Sequence, residues 1–276
     1  MISQAYYDSS EKKRPIFSQL VEIFQNRDLL KLLVIRDLTV RYKRSVIGIW
    51  WSLLNPLFTT AVLFYVMNTV FKSKLPNGDS FLPYILSGVL LMALFNQALN
   101  LGAESIASGS GIFNKIYVRP EIFALSATIS SSINFVIGLI PLTLVLLLSK
   151  QTPTVMFPLS IVVILCMMLF STGIALLLSI TYINFDDSKS LIGILLMSLQ
   201  YVTPVFYPLS AIGPHTRKVI ELNPLTSYLQ CFRSVFGGNA LASTKEWVVM
   251  FVSAGTMFLF GLFIFQRQWP KVVSKL

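Results

Sequence analysis

The chain has 276 residues, of which 54% are hydrophobic and only 12% are charged, and its mean hydropathy is +0.70. This composition is far more apolar than that of a soluble domain and predicts an integral membrane protein. The net charge of +10 does not indicate a nucleic-acid-binding protein, because the cations lie in short segments beside apolar stretches. Cys166 and Cys231 have no neighbouring Cys or His in the sequence, so neither a disulfide nor a zinc site is expected.

The N-terminal residues 1–49 are predicted to form a cytosolic tail and an interfacial helix. Met1 to Arg14 is polar and lacks the apolar core of a signal peptide, so we expect it to remain in the mature protein. From Pro15 to Leu33 the apolar side chains recur on one helical stripe, which is typical of an amphipathic helix in the membrane interface. A helix packed against cytosolic protein is the alternative.

A charged turn follows, in which four cations directly precede the first long apolar segment. These cations are Arg36, Arg41, Lys43 and Arg44. Lys and Arg beside a spanning helix hold that end in the cytosol, and Trp50 and Trp51 suit the headgroup boundary. The cations therefore predict the orientation of the first span.

Six segments are long and apolar enough to span a bilayer, which requires about 20 residues. They lie at about 50–71, 83–104, 122–149, 154–183, 190–207 and 247–266. The segments on the side of the termini hold fifteen Lys and Arg residues, against seven on the opposite side. This excess places both termini in the cytosol. The sequence therefore predicts an all-α polytopic membrane protein with a transmembrane domain at 50–267 and a cytosolic tail at 268–276.

The region between the fifth and sixth predicted spans, residues 208–246, has a different pattern. Pro and Gly pairs divide it into two short pieces, 215–222 and 226–236, each apolar on one side and too short to span. We expect short external gate helices or re-entrant helices here. Irregular backbone at membrane depth is tolerated only beside protein or water, so this region should line a cavity or an exit.

The predicted spans carry no charged residue at their centres, which argues against ion-driven transport. The chain also lacks the G-x-x-x-x-G-K-[ST] phosphate loop, so ATP and Mg²⁺ are expected on a separate partner and no cofactor on this chain. Asp186 and Asp187 form the only acidic pair, and we interpret it as a polar connector or docking feature rather than a catalytic pair. Catalysis is therefore not predicted.

Neutral polar and aromatic residues recur within the spans instead. Two interpretations are open: hydrogen bonds between packed helices, or a hydrated path for hydroxyl-rich cargo. The candidate path-lining residues are Asn55, Phe58, Thr59, Asn96, Asn100, Tyr201, Phe206 and Tyr207.

Three stretches of this sequence resemble the signatures of ABC-2 permeases that export bacterial surface polysaccharides. Residues 36–56 are similar to the pattern R-D-x-x-x-R-Y-x-x-S-x-x-G-x-x-W-x-x-x-x-P, and residues 112–120 to a K-x-x-(F/V)-P stretch. Residues 203–208, followed by 223–225, resemble P-V-(I/F)-Y…N-P. One departure is Phe185-Asp186-Asp187, where many members have F-R-D.

The resemblance implies a permease of the bacterial cytoplasmic membrane that pairs with a second copy of itself and with two copies of an ATPase subunit. Its cargo would be a polyprenyl-diphosphate-linked polysaccharide. A smaller lipid or drug, or a non-transport scaffold, is the alternative. The implied entrance residues, beside membrane lipid, are Arg36, Arg41, Tyr42, Lys43 and Arg44. A coupling loop at about 105–121 and the second cytosolic turn give the implied ATPase-docking residues Ser108, Phe113, Asn114, Lys115, Tyr117, Asp186 and Asp187.

Overall fold

The computed structural model describes residues 26–43, 45–69, 80–113, 118–149, 157–185, 187–236 and 242–273, and these contain helices and turns but no strand. The helices are α1 (Arg27–Tyr42), α2 (Trp51–Thr69), α3 (Phe81–Ser108), α4 (Ser110–Phe113), α5 (Glu121–Leu148), α6 (Leu159–Asn184), α7 (Ser188–Val202), α8 (Pro214–Glu221), α9 (Pro224–Phe236) and α10 (Thr244–Val272). A 3₁₀ turn at Gly48–Trp50 leads into α2, and another at Leu209–Ala211 precedes α8.

Among the described residues, five helices are long and apolar enough to cross a membrane, namely α2, α3, α5, α6 and α10. The all-helical fold is therefore confirmed, but the six-span prediction is not. The predicted fifth span, 190–207, is helical only over the 15 residues of α7, which extend about 22 Å against a hydrocarbon core of about 30 Å. Thr203 takes an extended conformation (φ −77°, ψ 138°), because the ring of Pro204 disfavours a helical residue before it.

The core is formed by α3, which packs against α5 and α6, and by α10, which packs against α6. The contact between α6 and α10 depends on two glycines. A Cβ on Gly173 would lie 2.3 Å from the carbonyl oxygen of Met257, and a Cβ on Gly261 would lie 2.1 Å from that of Gly173. Because neither residue has a side chain, the two backbones approach closely.

The helices α2 and α7 lie at the periphery of the bundle. Phe58, Val62 and Tyr65 on α2 are exposed, as are Leu191 and Leu195 on α7. Such an apolar surface is covered by lipid or by another protein.

Arg36 and Arg41 of the charged segment lie in a helix rather than in a turn, and Lys43 directly follows that helix. The helix is α1, which packs against α5 and buries Leu33 and Val34. The interfacial helix predicted at Pro15 to Leu33 lies outside the described residues up to position 25. Its remainder forms one continuous helix with Arg36 and Arg41, and this helix packs against α5.

The two short pieces predicted after the fifth apolar segment correspond to α8 and α9. Pro214 and Pro224 begin these helices, where a missing backbone N–H costs nothing. Most of α9 is buried against α10, α6 and α3, whereas in α8 only Ile220 is buried. The chain therefore turns back into the bundle between α7 and α10.

Candidate functional site

A polar cleft of about 280 Å³ lies where α1, α2, α3 and α5 meet. We call it the Asn134 cleft. Its polar lining comes from Arg41, Tyr42, Ser45, Ser52, Asn55, Gln97, Ser131 and Asn134. It brings together three residues that the sequence analysis assigned to different tasks, namely Arg41 and Tyr42 as entrance residues and Asn55 as a path-lining residue.

Four side chains from four helices form one hydrogen-bond network in this cleft. The Tyr42 hydroxyl contacts the Ser52 hydroxyl and donates to Asn134 Oδ1 at 3.1 Å. Asn134 Nδ2 in turn donates to Gln97 Oε1 at 3.0 Å. Polar side chains of the first three predicted spans therefore meet at one point, to which α1 adds Tyr42.

The two arginines of α1 have different surroundings. Arg36 donates through Nε and Nη2 to Asp37 Oδ1, at 3.1 and 2.9 Å, and Asp37 also accepts from Ser126 at 3.3 Å. Arg41 Nη1 is buried and has no hydrogen-bond partner among the described residues. Because a buried unpaired donor of a cation is costly, Arg41 is suited to an anionic ligand. Lys43 is exposed, and Arg44 lies outside the described residues.

A second cleft, of about 520 Å³, runs along α1 toward the end of α3, and we call it the Glu104 cleft. Arg41 lines both clefts. Arg36, Glu104 and Ser108 line this one. Glu104 Oε1 also binds Lys189 Nζ of α7 at 2.7 Å.

The predicted ATPase-docking residues are only partly described. Ser108 ends α3 and donates to the carbonyl of Ser105 at 3.0 Å, while the short helix α4 follows. Asp187 is exposed directly before α7. The Phe113 side chain, Asn114, Lys115, Tyr117 and Asp186 lie outside the described residues. The Glu104–Lys189 ion pair nevertheless brings the end of α3 and the start of α7, near which these residues lie in the sequence, to the same end of the bundle.

The predicted path-lining residues are divided among several environments. Phe58 and Tyr201 are exposed on the periphery, and Thr59 is half-buried on α2. Asn96 donates to Gln200 Oε1 at 3.3 Å and so joins α3 to α7. The remaining three residues form other contacts: Asn100 donates to the Asn96 carbonyl, Phe206 is only 8% exposed within the core, and Tyr207 donates to the carbonyl of Tyr201.

Arg233 of α9 was missed by the sequence analysis, which counted it among the external cations. Its Nη1 donates to the Pro204 carbonyl at 2.9 Å, and its Nη2 to the carbonyls of Tyr84 and Val205 at 3.1 and 3.0 Å. The sequence did contain a signal. Arg233 follows Leu225 and Leu229 at a spacing of four, which places it on the apolar stripe of a helix.

In the described part of the chain, five helices long and apolar enough to span a bilayer indicate a multi-pass membrane protein. Residues 28–236 match the family model described as ABC-2 type transporter, which covers more than half of the chain. The chain belongs to that family, as the three resembling stretches implied.

The relatives include permeases and transport proteins of the bacterial envelope. The chain is 30% identical over 235 residues to the O-antigen export system permease protein RfbA of Myxococcus xanthus, covering 83% of this chain and 88% of the relative. It is 24% identical to RfbA of Klebsiella pneumoniae, covering 87% and 92%. It is 21% identical to the polysialic acid transport protein KpsM of Escherichia coli, covering 74% and 79%.

Proposed function

We propose that this chain is the permease subunit of an ATP-driven exporter that moves a lipid-linked polysaccharide from the cytosol to the outer face of the bacterial inner membrane. The names of its relatives, which refer to O-antigen, polysialic acid and capsule polysaccharide export, support the polysaccharide class. A separate ATPase subunit holds ATP and Mg²⁺ and supplies the energy.

The Asn134 cleft carries this proposal. It combines one unpaired guanidinium donor, on Arg41, with the neutral hydroxyl and amide groups of Tyr42, Ser52, Asn55 and Asn134. Arginine binds phosphate oxygens through paired hydrogen bonds, and so fits a diphosphate head. Hydroxyls and amides donate and accept in the way that sugar hydroxyls require, and they do not trap the cargo by charge.

The ATPase would dock at the cytosolic end where α3, α4 and α7 meet. Closure of the ATPase on ATP would push α4, whose displacement passes directly into α3 and, through Glu104 and Lys189, into α7. Both α3 and α7 lie between the two clefts and the predicted external region, residues 208–246. The docking residues remain a proposal that rests on the family resemblance.

A second copy of the chain would complete the path. The two clefts that the described helices form have volumes of only about 280 and 520 Å³, which is small for a polymer. The exposed faces of α2 and α7 are apolar surfaces that a second copy could cover in a two-fold dimer.

The proposal is tested by expressing the chain with its ATPase in a strain that lacks the permease gene. We expect the ATPase to co-purify with the permease and surface polysaccharide to return. The Arg41→Gln variant should lower export by about tenfold or more, because one charge-assisted hydrogen bond to the cargo is lost. Lys218→Gln, on the exposed helix α8, is the control. Equal export by both variants, or a permease that purifies without any ATPase, would contradict the proposal.

A further inference from the structure

The non-helical segment after α7, residues 203–207, is unusual because it is buried. Thr203 and Val205 are fully buried, and Phe206 is 8% exposed. The carbonyls of such a segment receive no hydrogen bonds from a helix ladder, and a buried carbonyl that has no partner destabilises the fold. Their partners are therefore a structural requirement of the fold.

Two side chains supply these partners. Arg233 donates to the carbonyls of Pro204 and Val205 at 2.9 and 3.0 Å. Tyr84, near the start of α3, donates through its hydroxyl to the carbonyl of Tyr207 at 3.0 Å. The segment is thus held at its beginning by α9 and at its end by α3.

Arg233 and Tyr84 are also bound to each other. The guanidinium carbon lies 3.5 Å from the centroid of the Tyr84 ring, and Nη2 donates to the Tyr84 carbonyl at 3.1 Å. A cation over an aromatic face gains more when it is shielded from water. Arg233 forms no ion pair with any carboxylate of the described residues, so its charge is balanced by carbonyl dipoles and by this ring.

Space for the guanidinium is provided by Gly88. A Cβ at this position would lie 2.8 Å from Arg233 Nη2 and 3.1 Å from Val205 Cγ1. Position 88 therefore controls whether the guanidinium can reach its carbonyl partners, without changing the arginine itself.

We infer that Arg233 is a positioning residue for the external end of the transport path. Its contacts with Tyr84, Pro204 and Val205 hold the segment 203–207, which connects α7 to the external helices, against α3 and α9. We call this set of contacts the lock. Release of this lock frees the segment to move, and with it Phe206 and Tyr207. The inference rests on the proposed function for the direction of transport, but the lock itself is defined by the contacts of the permease alone.

The lock is tested by cysteine labelling in cells that express the complete complex with its ATPase. Cys166 and Cys231, both buried, are replaced by Ala, and Phe206→Cys provides the reporter. A membrane-impermeant maleimide should label this reporter slowly when Arg233 is present. In Arg233→Met the labelling rate should rise by about tenfold or more, because hydrogen bonds to a charged group are lost. Arg233→Lys should fall between the two.

Gly88→Ala provides an independent variant that retains the arginine, and it should increase labelling in the same direction. Arg217→Met, on the exposed α8, is the matched control and should leave labelling unchanged. A second reporter, Val163→Cys on α6, is fully buried in the parent protein and should stay protected in every variant. Its labelling together with Phe206→Cys would show general unfolding and overturn the positioning role.

Unchanged labelling of Phe206→Cys in the assembled Arg233→Met variant would also overturn the positioning role of Arg233. If Arg233→Met fails to accumulate in the membrane, the labelling of Phe206→Cys in Gly88→Ala decides instead: an increase supports the positioning role, and no change overturns it. Co-purification of the ATPase is recorded for each variant, so a failure of the lock is distinguished from a failure of the proposed function.

Discussion

The side-chain amide of Asn223 donates to the Thr203 hydroxyl at 3.0 Å. This hydrogen bond joins two turns that lie twenty residues apart in the sequence, one before Pro204 and one before Pro224. The Thr203 hydroxyl donates to the Leu199 carbonyl at 2.7 Å, and Asn223 Oδ1 accepts from the Leu225 amide at 3.1 Å. One chain of hydrogen bonds therefore runs from the end of α7 to the start of α9. Residues 203–208 and 223–225, the two parts of the third stretch that resembles the ABC-2 permeases, therefore form a single structural unit.

Replacing Asn223 should destabilise this unit. Asn223→Ala removes both hydrogen bonds of the side chain and leaves the Leu225 amide without its cap, at a cost of about 1–3 kcal/mol. Thermal unfolding of the purified permease in detergent measures the effect. Asn100→Ala is the control, because the Asn100 side chain is exposed and bonds only to its own helix. Equal melting temperatures for the two variants would contradict the prediction.

The close contact between α6 and α10 leads to a second prediction. Gly261→Ala forces a methyl group into the carbonyl of Gly173, which is backbone and cannot rotate away. Overpacking of this kind costs about 1–3 kcal/mol, and we expect Gly173→Ala to behave similarly.

Gly255→Ala is a matched control on the same helix α10, because a Cβ there meets no atom within 4 Å. It should be neutral or should stabilise the protein by up to about 1 kcal/mol, since Ala favours the helix over Gly. The melting temperatures of the three variants in detergent make the comparison. If Gly261→Ala were as stable as Gly255→Ala, the close contact would not limit the packing.

The spans were largely predictable from the sequence, because long apolar stretches determine where helices can cross a bilayer. The exception is α7, whose apolar pattern continues to residue 207 while Pro204 ends the helix. The placement of Arg233 could not be predicted from charge counts, since a cation in a connecting segment resembles a topology signal. Its burial depends on how α9 folds back against α3, which is a tertiary contact between residues far apart in sequence.

The candidate site was predicted in its residue types but not in its grouping. The sequence shows that neutral polar residues recur within the spans, whereas periodicity alone does not show which of them face each other. Tyr42 illustrates this, because it was assigned to the entrance by resemblance and is bonded to Asn134, 92 residues away.

The four-helix network should respond to the loss of its central residue. Asn134→Leu removes the acceptor at Oδ1 for the Tyr42 hydroxyl and the donor at Nδ2 for Gln97 Oε1, so we expect a loss of about 1–3 kcal/mol in the free energy of unfolding. Tyr42→Phe should cost less, because it removes only one hydroxyl.

The double variant Tyr42→Phe with Asn134→Leu tests whether the two side chains act together. If they do, its effect is smaller than the sum of the single effects, because the shared hydrogen bond is counted twice in the sum. Tyr65→Phe, with an exposed side chain on α2, is the control. Strict additivity of the two changes would show that the 3.1 Å contact carries no energy.

The exposed face of α7 is the surface on which we expect a second copy of the chain. The helix is too short to cross the membrane alone, and its exposed side chains are apolar. Leu195, 65% exposed, is central to this face.

In a background without native cysteines, Leu195→Cys should therefore form covalent dimers with a short bifunctional maleimide in native membranes. Leu165→Cys, 53% exposed on α6, should remain monomeric as a lipid-facing control. Equal cross-linking at both positions would indicate random collision, and cross-linking at position 165 alone would place the second copy against α6.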